Sequence, residues 1–536
     1  MTTSPPASQT GREAESVPAD STPAPGGEKR APRRLSRRAL FGLTGGAVLA
    51  VGTGLALPRL LAGGQPIGPG DPAVAAAEAA RPRTGRVVTR ALQAGPVELD
   101  LGGRRVRTWA YEGSLPGPMI RVTAGDELRV RFTNGLPVPT TVHWHGLALR
   151  NDMDGVPGLN MPPVEPGAGF DYAFVVPHPG TYWFHPHLGV QLDTGLYAPL
   201  IVDDPAEPGG YDEEAVLILD DWTDDWSESP DDLLAAARRN GMAGGMDDMG
   251  DMGDMPGMDS MEMPSAAQPL GADTGDIVYP AHLINGRLPG APASIATKPG
   301  RRVRLRVVNA GADTAYRFAV GGHRLTVTHT DGFPVDPVTV DTLIIGMGER
   351  YDVVVTAADG VFPIVAVPEG KSDPAALAVL RTGPGALPSN ERRPVELTRR
   401  LLDYRDLSSA GGTALGTAEP DRQLEIVMSM ADGGRRWLLN GRPYGEHEPL
   451  PLVAGERVRL TFKNQSMMFH PMHVHGHTFA ISRPDGRGIR KDTINVLPMQ
   501  DLAVDLEADN PGQWLTHCHN AYHAELGMAT TLSYRS

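Results

Sequence analysis

A ten-residue pattern occurs three times along the chain, and it constrains the fold more than any other feature. The copies are 125–134 (GDELRVRFTN), 300–309 (GRRVRLRVVN) and 455–464 (GERVRLTFKN). In each copy apolar and polar side chains alternate with a period of two, which is typical of a strand with one buried face. Because repeats at long intervals mark related structural units, we predict three related β-domains. Short strands separated by Gly and Pro turns favour sandwiches or barrels.

Composition sets the expected limits of these domains. We predict a first domain over 85–205, a second over 212–382 and a third over 395–536. The second contains a low-complexity segment, residues 242–263, in which eight methionines lie among Gly and Asp. Thioethers are soft ligands suited to Cu(I), so this segment either collects Cu(I) or is a disordered insertion. Its methionines are Met242, Met246, Met249, Met252, Met255, Met258, Met261 and Met263.

The first 80 residues are predicted to be an export signal followed by a disordered leader. The stretch from Ser36 to Phe41 (SRRALF), with the apolar run that ends at Leu57, resembles a twin-arginine signal, and the alternative is an ordinary signal anchor. No later stretch approaches the roughly 18 apolar residues that a spanning helix needs. We therefore expect export to the periplasm, the cell surface or the medium, with no stable membrane span after cleavage.

Charge and cysteine content narrow the possible partners. The chain carries 64 Asp and Glu against 49 Lys and Arg, a formal net charge of −15, which argues against binding to nucleic acid. A neutral or cationic small partner fits better. The only cysteine, Cys518, lies between two histidines, and an unpaired thiol in an exported protein is a liability unless something occupies it. A metal ion is the natural occupant.

Four His-x-His pairs lie at equivalent places in the first and third domains. One pair begins nine residues after the Asn that ends the repeat, and the other begins five residues after a glycine near the end of the domain. On a strand such a pair places both rings on one face, so we expect eight rings at one shared interface. Eight imidazoles without a carboxylate suit copper. The pairs are His143/His145, His185/His187, His473/His475 and His517/His519. The second domain has Phe318 and Val320 at the equivalent positions and is predicted to bind no copper.

Cys518 points to the strand face opposite that of its two neighbouring histidines, so it is predicted to bind a different ion. One thiolate, two imidazoles and a weak axial thioether form a blue-copper electron-transfer site. The other expected ligands of this site are His470, His523 and Met528. The first-domain counterparts of all four ligands, Cys518 included, are Thr140, Pro186, Gln191 and Leu196, so that copy of the site is predicted to bind no copper.

Together these motifs resemble the three-domain multicopper oxidases of the bacterial laccase and cuprous-oxidase type, over about residues 85 to 536. The resemblance implies three consecutive cupredoxin-like Greek-key β-sandwiches. It also implies an oxidoreductase that oxidises its substrate one electron at a time and reduces O2 to water with four electrons. Four copper ions are implied. The resemblance assigns His143 and His473 to type 2 copper, His145, His185 and His519 to one type 3 ion, His187, His475 and His517 to the other, and His470, Cys518, His523 and Met528 to type 1.

Two carboxylates are candidates for proton delivery. Asp154, eleven residues after His143, matches an acidic position of the family, although a turn before Gly155 explains it equally well. Ala524 stands where many relatives have a glutamate. Glu525 follows it directly, and whether it substitutes for that glutamate is an open question. With Cys518, these two carboxylates complete the expected catalytic set.

The sequence leaves the reducing substrate open between Cu(I), which would serve copper resistance, and phenols or aromatic amines. Related cuprous oxidases carry their Met-rich insert in the third domain and an Asp at the position of Ser466, whereas Met467 and Met468 match. A third hypothesis is a non-catalytic copper-binding protein that uses the Met-rich segment. A copper nitrite reductase is disfavoured because it would lack the full ligand set. The remaining histidines, His178, His282, His323, His329, His447 and His477, are assigned no copper role.

Overall fold

The computed structural model describes residues 64–207, 209–242, 264–265, 268–389, 391 and 393–536. The predicted twin-arginine motif with its apolar run, which ends at Leu57, and most of the Met-rich segment lie outside the described residues. The described residues form thirty strands and three short helices, α1 (Pro72–Ala80), α2 (Pro230–Asn240) and α3 (Ala521–Glu525). The prediction of an all-β chain is confirmed. In the described part of the chain, no helix is long and apolar enough to cross a membrane.

The first domain is a sandwich of two four-stranded sheets. Its strands are β1 (Val87–Asp100), β2 (Arg105–Tyr111), β3 (Ile120–Thr123), β4 (Glu127–Asn134), β5 (His143–His145), β6 (Gly169–Val175), β7 (Gly180–His185) and β8 (Ala198–Asp203). The sheet orders are β2-β1-β4-β6 and β3-β8-β7-β5. The pairs β1/β4 and β3/β8 are parallel, so the chain crosses between the sheets as a Greek key does. Leu128, Phe132 and Phe184 belong to the apolar core of this domain.

The second domain repeats this plan with larger sheets. Its strands are β9 (Glu213–Trp222), β10 (Ala281–Ile284), β11 (Ala293–Ala296), β12 (Arg302–Asn309), β13 (Tyr316–Val320), β14 (Leu325–Thr330), β15 (Phe333–Val340), β16 (Leu343–Ile345), β17 (Arg350–Thr356), β18 (Val361–Pro368) and β19 (Ala376–Arg381). The orders are β10-β9-β12-β17-β14-β15 and β11-β19-β18-β13-β16. Phe318 and Val320 are buried in its core, as expected for a domain without copper ligands at these positions.

The third domain again consists of a six-stranded and a five-stranded sheet. Its strands are β20 (Arg422–Ala431), β21 (Arg436–Leu439), β22 (Leu450–Leu452), β23 (Arg457–Asn464), β24 (His470–Val474), β25 (Phe479–Ile481), β26 (Arg490–Lys491), β27 (Thr493–Val496), β28 (Asp501–Glu507), β29 (Gln513–Cys518) and β30 (Ala529–Tyr534). The orders are β21-β20-β23-β28-β25-β26 and β22-β30-β29-β24-β27. The five-stranded sheet contains β24 and β29, which contribute histidines to the candidate site.

The sequence repeat corresponds to one equivalent strand in each domain, namely β4, β12 and β23. Each pairs in parallel with the first strand of its domain. The asparagine that ends each copy, Asn134, Asn309 or Asn464, is buried, and its side chain accepts from the backbone N–H two residues later. Its amide group also donates to a carbonyl of the loop that follows and to a second carbonyl further along the chain, that of Val164, Ile345 or Val496. The repeat therefore ends in a side chain that fixes the loop leading to the first His-x-His pair of the outer domains.

One expectation from the repeat is wrong in the second domain. The alternation in β12 predicts an exposed polar face, yet Arg304 and Arg306 are only 2% exposed. Both guanidinium groups pair with the buried carboxylate of Asp352. A buried charge is tolerated when a partner neutralises it, and the polar face of β12 is therefore buried at these two positions, whereas Arg302 at its start is exposed.

The described part of the predicted leader, from residue 64, is folded, unlike the disordered stretch expected up to residue 80. Asp71 caps α1 by accepting from the backbone N–H of Ala73, and Pro72 occupies the first turn, as helix starts favour. The Glu78 carboxylate accepts from the backbone N–H of Val175 in the first domain at 2.7 Å. Residue Ile67 bonds to the last strand of the third domain. Residues 64 to 80 are thus bound to both outer domains.

Candidate metal centres

Two strand pairs, one in each outer domain, position the histidines. In the first domain β5 pairs antiparallel with β7, and His143 lies opposite His185. In the third domain β24 pairs antiparallel with β29, and His473 lies opposite His517. Because side chains alternate between faces along a strand, the second histidine of each His-x-His pair lies on the same side as the first.

The rings of the two domains interleave in one buried cluster. His143 stacks on His475, and His145 stacks on His473, each with ring centroids 3.9 Å apart. Each of these stacks joins a ring of the first domain to a ring of the third. The Nε2 atoms of His475 and His517 lie 3.0 Å apart. The structure therefore brings together residues that lie more than 300 positions apart in the sequence.

The remaining three rings complete this cluster. The ring of His519 lies 4.8 Å from that of His145 and 5.3 Å from that of His185, measured between centroids. The Nε2 atom of His187 lies 3.4 Å from that of His517. The eight predicted rings thus form one continuous cluster in which each ring contacts at least one other.

The donor atoms of the cluster suit metal ions. Several buried ring nitrogens have no hydrogen-bond partner, which is costly unless something binds them. These are Nε2 of His143, His185 and His473, Nδ1 of His145, and both nitrogens of His519. Three groups of histidines have donor atoms within 4.8 Å of one another. The groups are His143/His145/His185, His143/His473/His475 and His187/His475/His517.

Burial keeps these imidazoles neutral, which is the form that binds metals. Loss of hydration holds the pKa of His145, His185 and His475 well below its usual value, and neighbouring imidazoles lower it further. The pKa of His517 falls to about 3 for the same two reasons. Neutral imidazoles together with one thiol are a donor set that copper prefers, so the residues fit the ions that the motifs imply.

A second group of donors surrounds Cys518, which is fully buried. The Cys518 Sγ atom lies 3.7 Å from Nδ1 of His470 and 3.7 Å from Nδ1 of His523. Asn520 caps α3 by accepting from the backbone N–H of His523, and this short helix brings that ring back toward the thiol. The backbone carbonyl of Met528 accepts from the N–H of Cys518 at 3.0 Å, and both side chains belong to one core cluster.

Three residues outside the predicted set fix the two imidazoles of this group. Trp437 packs on both rings, with its centroid 4.1 Å from that of His523 and 5.0 Å from that of His470. The Nε2 atom of His470 lies 2.8 Å from Oγ of Ser466. The Nε2 atom of His523 lies 2.9 Å from a carboxylate oxygen of Asp276 in the second domain. Asp276 lies outside the repeats and the His-x-His pairs, so no sequence signal connects it to the site.

Asp154 contacts the histidine cluster in two ways. Its backbone carbonyl lies 2.8 Å from Nδ1 of His143, and its Oδ2 atom lies 3.0 Å from Nδ1 of His475. Asn160 also donates to this oxygen. The residue does end a short 3₁₀ turn (Asn151–Met153), as the turn interpretation requires. Both interpretations of this position therefore agree with its geometry.

Glu525 lies at a different place. Its carboxylate is 3.4 Å from the Arg238 guanidinium of α2, and no described contact joins it to a ring of the cluster. Burial raises the pKa of Glu525, and Arg238 and a backbone hydrogen bond from Gly189 partly offset this. Gly189 lies two residues after His187, so this hydrogen bond connects Glu525 to the segment that carries one ring of the cluster.

The six histidines assigned no copper role lie in none of the metal-binding groups found among the described residues. His282 bonds to the Tyr316 hydroxyl at 2.7 Å, and His477 bonds to the Tyr534 hydroxyl at 2.6 Å. These rings have ordinary hydrogen-bonding partners within the fold.

Three β-sandwiches, a buried cluster of eight histidines and a separate Cys-His group define the class of copper oxidoreductases. Residues 93–207, 213–385 and 418–536 match three family profiles described as multicopper oxidase. The chain belongs to the multicopper oxidase family. It is an oxidoreductase that contains copper and oxidises a reducing substrate with O2 as the acceptor.

Individual relatives agree with this assignment. The chain is 48% identical to multicopper oxidase MmcO of Mycobacterium tuberculosis, over 94% of this chain and 97% of the relative. It is 28% identical to copper resistance protein A of Pseudomonas syringae pv. tomato, over 82% of this chain and 91% of the relative. The solved laccase of Botrytis aclada superposes with a TM-score of 0.69 at 25% identity, covering 85% of this chain and 89% of the laccase. These likenesses support an oxidase rather than a non-catalytic copper-binding protein.

Proposed function

We propose that the chain holds four copper ions and that the reductant is oxidised beside Cys518 while O2 is reduced in the histidine cluster. The proposed type 1 ligands are His470, Cys518, His523 and Met528. The proposed type 2 ligands are His143 and His473, and the two type 3 ions are held by His145/His185/His519 and by His187/His475/His517. The observation that carries this proposal is the closeness of the Cys518 thiol to two imidazole nitrogens, each 3.7 Å away, on a strand that also supplies the cluster.

Bound copper supplies one-electron redox chemistry at Cys518 and four-electron reduction of O2 to water in the cluster. Cys518 is covalently bonded to His517 and His519, so the shortest path between the two centres runs through one peptide unit on either side. Burial of the Cys518 side chain and of both neighbouring rings excludes water from this path. These residues therefore connect the two centres without a solvent gap.

Asp154 is the proposed proton carrier of the cluster. Its Oδ2 atom contacts His475, whereas its buried Oδ1 atom has no hydrogen-bond partner. This Oδ1 atom lies 3.3 Å from Nδ1 of His143, and a carboxylate oxygen beside the cluster that makes no hydrogen bond can hold a proton and pass it on. Glu525 remains a second candidate on the His187 side, although its pairing with Arg238 gives it a weaker case.

The position of Asp276 favours a metal cation as the reductant, and Cu(I) is the first candidate. The carboxylate touches the outward nitrogen of His523, so a cation bound there would lie one imidazole away from the Cys518 site. Asp273 adds a second acid, and its pKa is raised to about 6 by burial and by the nearby charge of Asp276. Asp273 also bridges to the Met468 backbone. Two carboxylates at this place attract a cation rather than a neutral phenol, and Cu(I) is the cation that the thioethers of the Met-rich segment would bind.

The two flanks of the Met-rich segment also lie near this site. Met242 donates its backbone N–H to Gly434 in the turn before β21, the strand that contains Trp437. Asp273 and Asp276 lie ten and thirteen residues after Met263, the last residue of the segment. We therefore propose that the segment delivers Cu(I) to Asp276.

Phenols and aromatic amines remain the second candidate because a solved laccase shares the fold and 25% sequence identity. Both type 1 imidazoles are fully buried, which disfavours direct contact with an aromatic ring.

Oxygen consumption by the copper-loaded protein, with Cu(I) or a simple phenol as reductant, tests these proposals. We expect Asp276→Asn to lower kcat/KM for Cu(I) by about tenfold, because one charge near a bound cation is worth roughly 1–2 kcal/mol in a partly buried site. Turnover of the phenol should change much less. Deletion of residues 243–263 should likewise slow only Cu(I) oxidation. Equal losses for both reductants would contradict a cation site at Asp276. Asp224→Asn, a half-buried acid of the same domain outside the site, is the control.

We also propose export through the twin-arginine signal. Replacing Arg37 and Arg38 by lysine should retain the protein inside the cell, which fractionation measures. Normal export of this variant would contradict the proposal.

A further inference from the structure

The second domain has a direct connection to the histidine cluster, although it supplies none of the proposed ligands. Arg350 begins β17 and is fully buried. Its guanidinium forms two hydrogen bonds with the Asp492 carboxylate of the third domain, both 2.6 Å long. It also donates to the backbone carbonyls of Thr181 and Gly348. Arg350 therefore joins one residue from each of the three domains at the edge of the cluster.

Asp492 in turn contacts two rings of the cluster. Its Oδ1 atom lies 3.2 Å from Nε2 of His145, and its backbone carbonyl lies 2.9 Å from Nδ1 of His473. The Thr493 hydroxyl donates to the same carboxylate oxygen and lies 3.1 Å from both of these ring nitrogens. With Nε2 of His145 occupied in this way, the unpartnered nitrogen of that ring is Nδ1.

Asp492 and Asp154 occupy mirrored positions. Each uses its backbone carbonyl to hold the first histidine of the pair in its own domain. Each carboxylate then reaches the second histidine of the other domain, His145 for Asp492 and His475 for Asp154. The two differ in their partners, because Asp154 is bonded to the neutral amide of Asn160 and Asp492 to a guanidinium.

Two glycines leave the space that this arrangement needs. A Cβ atom on Gly146, which follows His145 and has φ +85°, would lie 2.6 Å from the Asp492 carboxylate. A Cβ atom on Gly348, with φ +83°, would lie 3.0 Å from the His145 ring and 2.9 Å from the His519 ring. Both positions are therefore restricted to glycine by the close approach of the Arg350–Asp492 pair and of the rings.

We infer that Asp492, held by Arg350, is a positioning residue that fixes His145 and His473 so that the cluster retains its copper. Through this pair the second domain sets the geometry of a centre whose ligands all come from the other two. This role rests on the proposed function, since it assumes that the eight histidines bind copper. A carboxylate beside a metal-binding imidazole fixes its tautomer and orientation, and its loss commonly weakens metal binding by about ten- to a hundredfold.

The test uses the full chain with Arg350→Lys and, separately, Asp492→Asn, which keeps the size of the side chain. Competition with a copper chelator measures the affinity of the cluster, and electron paramagnetic resonance reports the copper held by His143 and His473. We expect both variants to release cluster copper about ten- to a hundredfold more readily and to show an altered resonance spectrum. The visible absorption of the Cys518 site should not change.

Arg317→Lys is the matched control, because Arg317 forms a similar two-bond pair with Glu369 in the same domain and its described contacts include no histidine. A lower unfolding temperature in all three variants, with copper affinity and resonance unchanged, would reduce the Arg350–Asp492 pair to a structural role and overturn the inference. If the wild-type protein binds copper only at Cys518, the proposal that the histidine cluster binds copper is wrong, and the positioning role of Asp492 is wrong with it. Fully loaded wild type with unchanged variants would overturn the role of Asp492 alone.

Discussion

The first and third domains have the same arrangement of strands around their histidines. A thiol and two imidazoles lie together in the third domain, whereas the first domain has other side chains at these positions. In the third domain Cys518 lies 3.7 Å from Nδ1 of both His470 and His523. In the first domain Thr140 and Gln191 stand at the positions of these two histidines, and the Thr140 hydroxyl donates to the Gln191 side chain at 2.7 Å. A satisfied neutral pair therefore occupies the place where the third domain has metal-binding donors.

This difference distinguishes the arrangement of the strands, which the two domains share, from the metal-binding side chains, which they do not. The strand pairs β5/β7 and β24/β29 present histidines in the same register in both domains. The residues that decide whether a second type of site exists are Cys518 at the end of β29, His470 at the start of β24, and His523 in the segment after β29. Different side chains at these few positions are enough to leave a single electron-accepting site, because the strand pairing around them is the same in both domains.

The largest effect is expected from removing the thiol. Cys518→Ser should abolish oxygen consumption and the intense visible absorption of a thiolate-bound copper, because a hydroxyl is a poor ligand for this soft site. An oxygen electrode and an absorption spectrum measure both. Leu196→Met, at the first-domain counterpart of Met528, is the control and should leave both unchanged. Activity that persists in Cys518→Ser would show that electrons reach the cluster by another path.

A smaller loss is expected from the proton carrier. Asp154→Asn should lower kcat by about a hundredfold, since a positioned acid or base typically contributes at least that much. The Cys518 absorption should remain. Asp152→Asn is the control, because Asp152 pairs with Arg150 at the surface of the same turn and contacts no ring of the cluster. If turnover is unchanged in Asp154→Asn and strongly impaired in Glu525→Gln, then Glu525 is the proton carrier and Asp154 is not.

The smallest effect is expected in the first domain. Thr140→Val removes a buried hydrogen bond and leaves Gln191 with one partner fewer, which should lower the free energy of unfolding by about 1–2 kcal/mol. Thermal unfolding measures this change, and kcat should stay within experimental error of the wild type. A large loss of activity would show that this end of the first domain takes part in the reaction.

The sequence predicts the fold and the grouping of the histidines well, for identifiable reasons. The repeat places β4, β12 and β23 in equivalent positions, and the period of two within strands brings the His-x-His pairs to one face. Local spacing also relates Cys518 to His523 through the short helix α3. These features depend on neighbouring residues and on repeated units, both of which are visible in one chain.

The residues that fix the imidazoles could not be predicted in the same way. Asp276, Arg350 and Asp492 act across domain boundaries, and no periodic pattern links a residue of the second domain to a ring of another domain. Ser466 stands where related cuprous oxidases have an Asp, and the carboxylate beside the Cys518 site comes instead from Asp276 in a different domain. Contacts of this kind are set by domain packing, which depends on the whole chain.

Copper content per chain distinguishes the two proposed centres, with one ion at Cys518 and three among the eight histidines. Elemental analysis should compare fully loaded wild type with Cys518→Ser. We predict four ions in the wild type and three in the variant. Four ions retained in Cys518→Ser, or the loss of all copper from a variant that remains folded, would contradict the division into two separate centres.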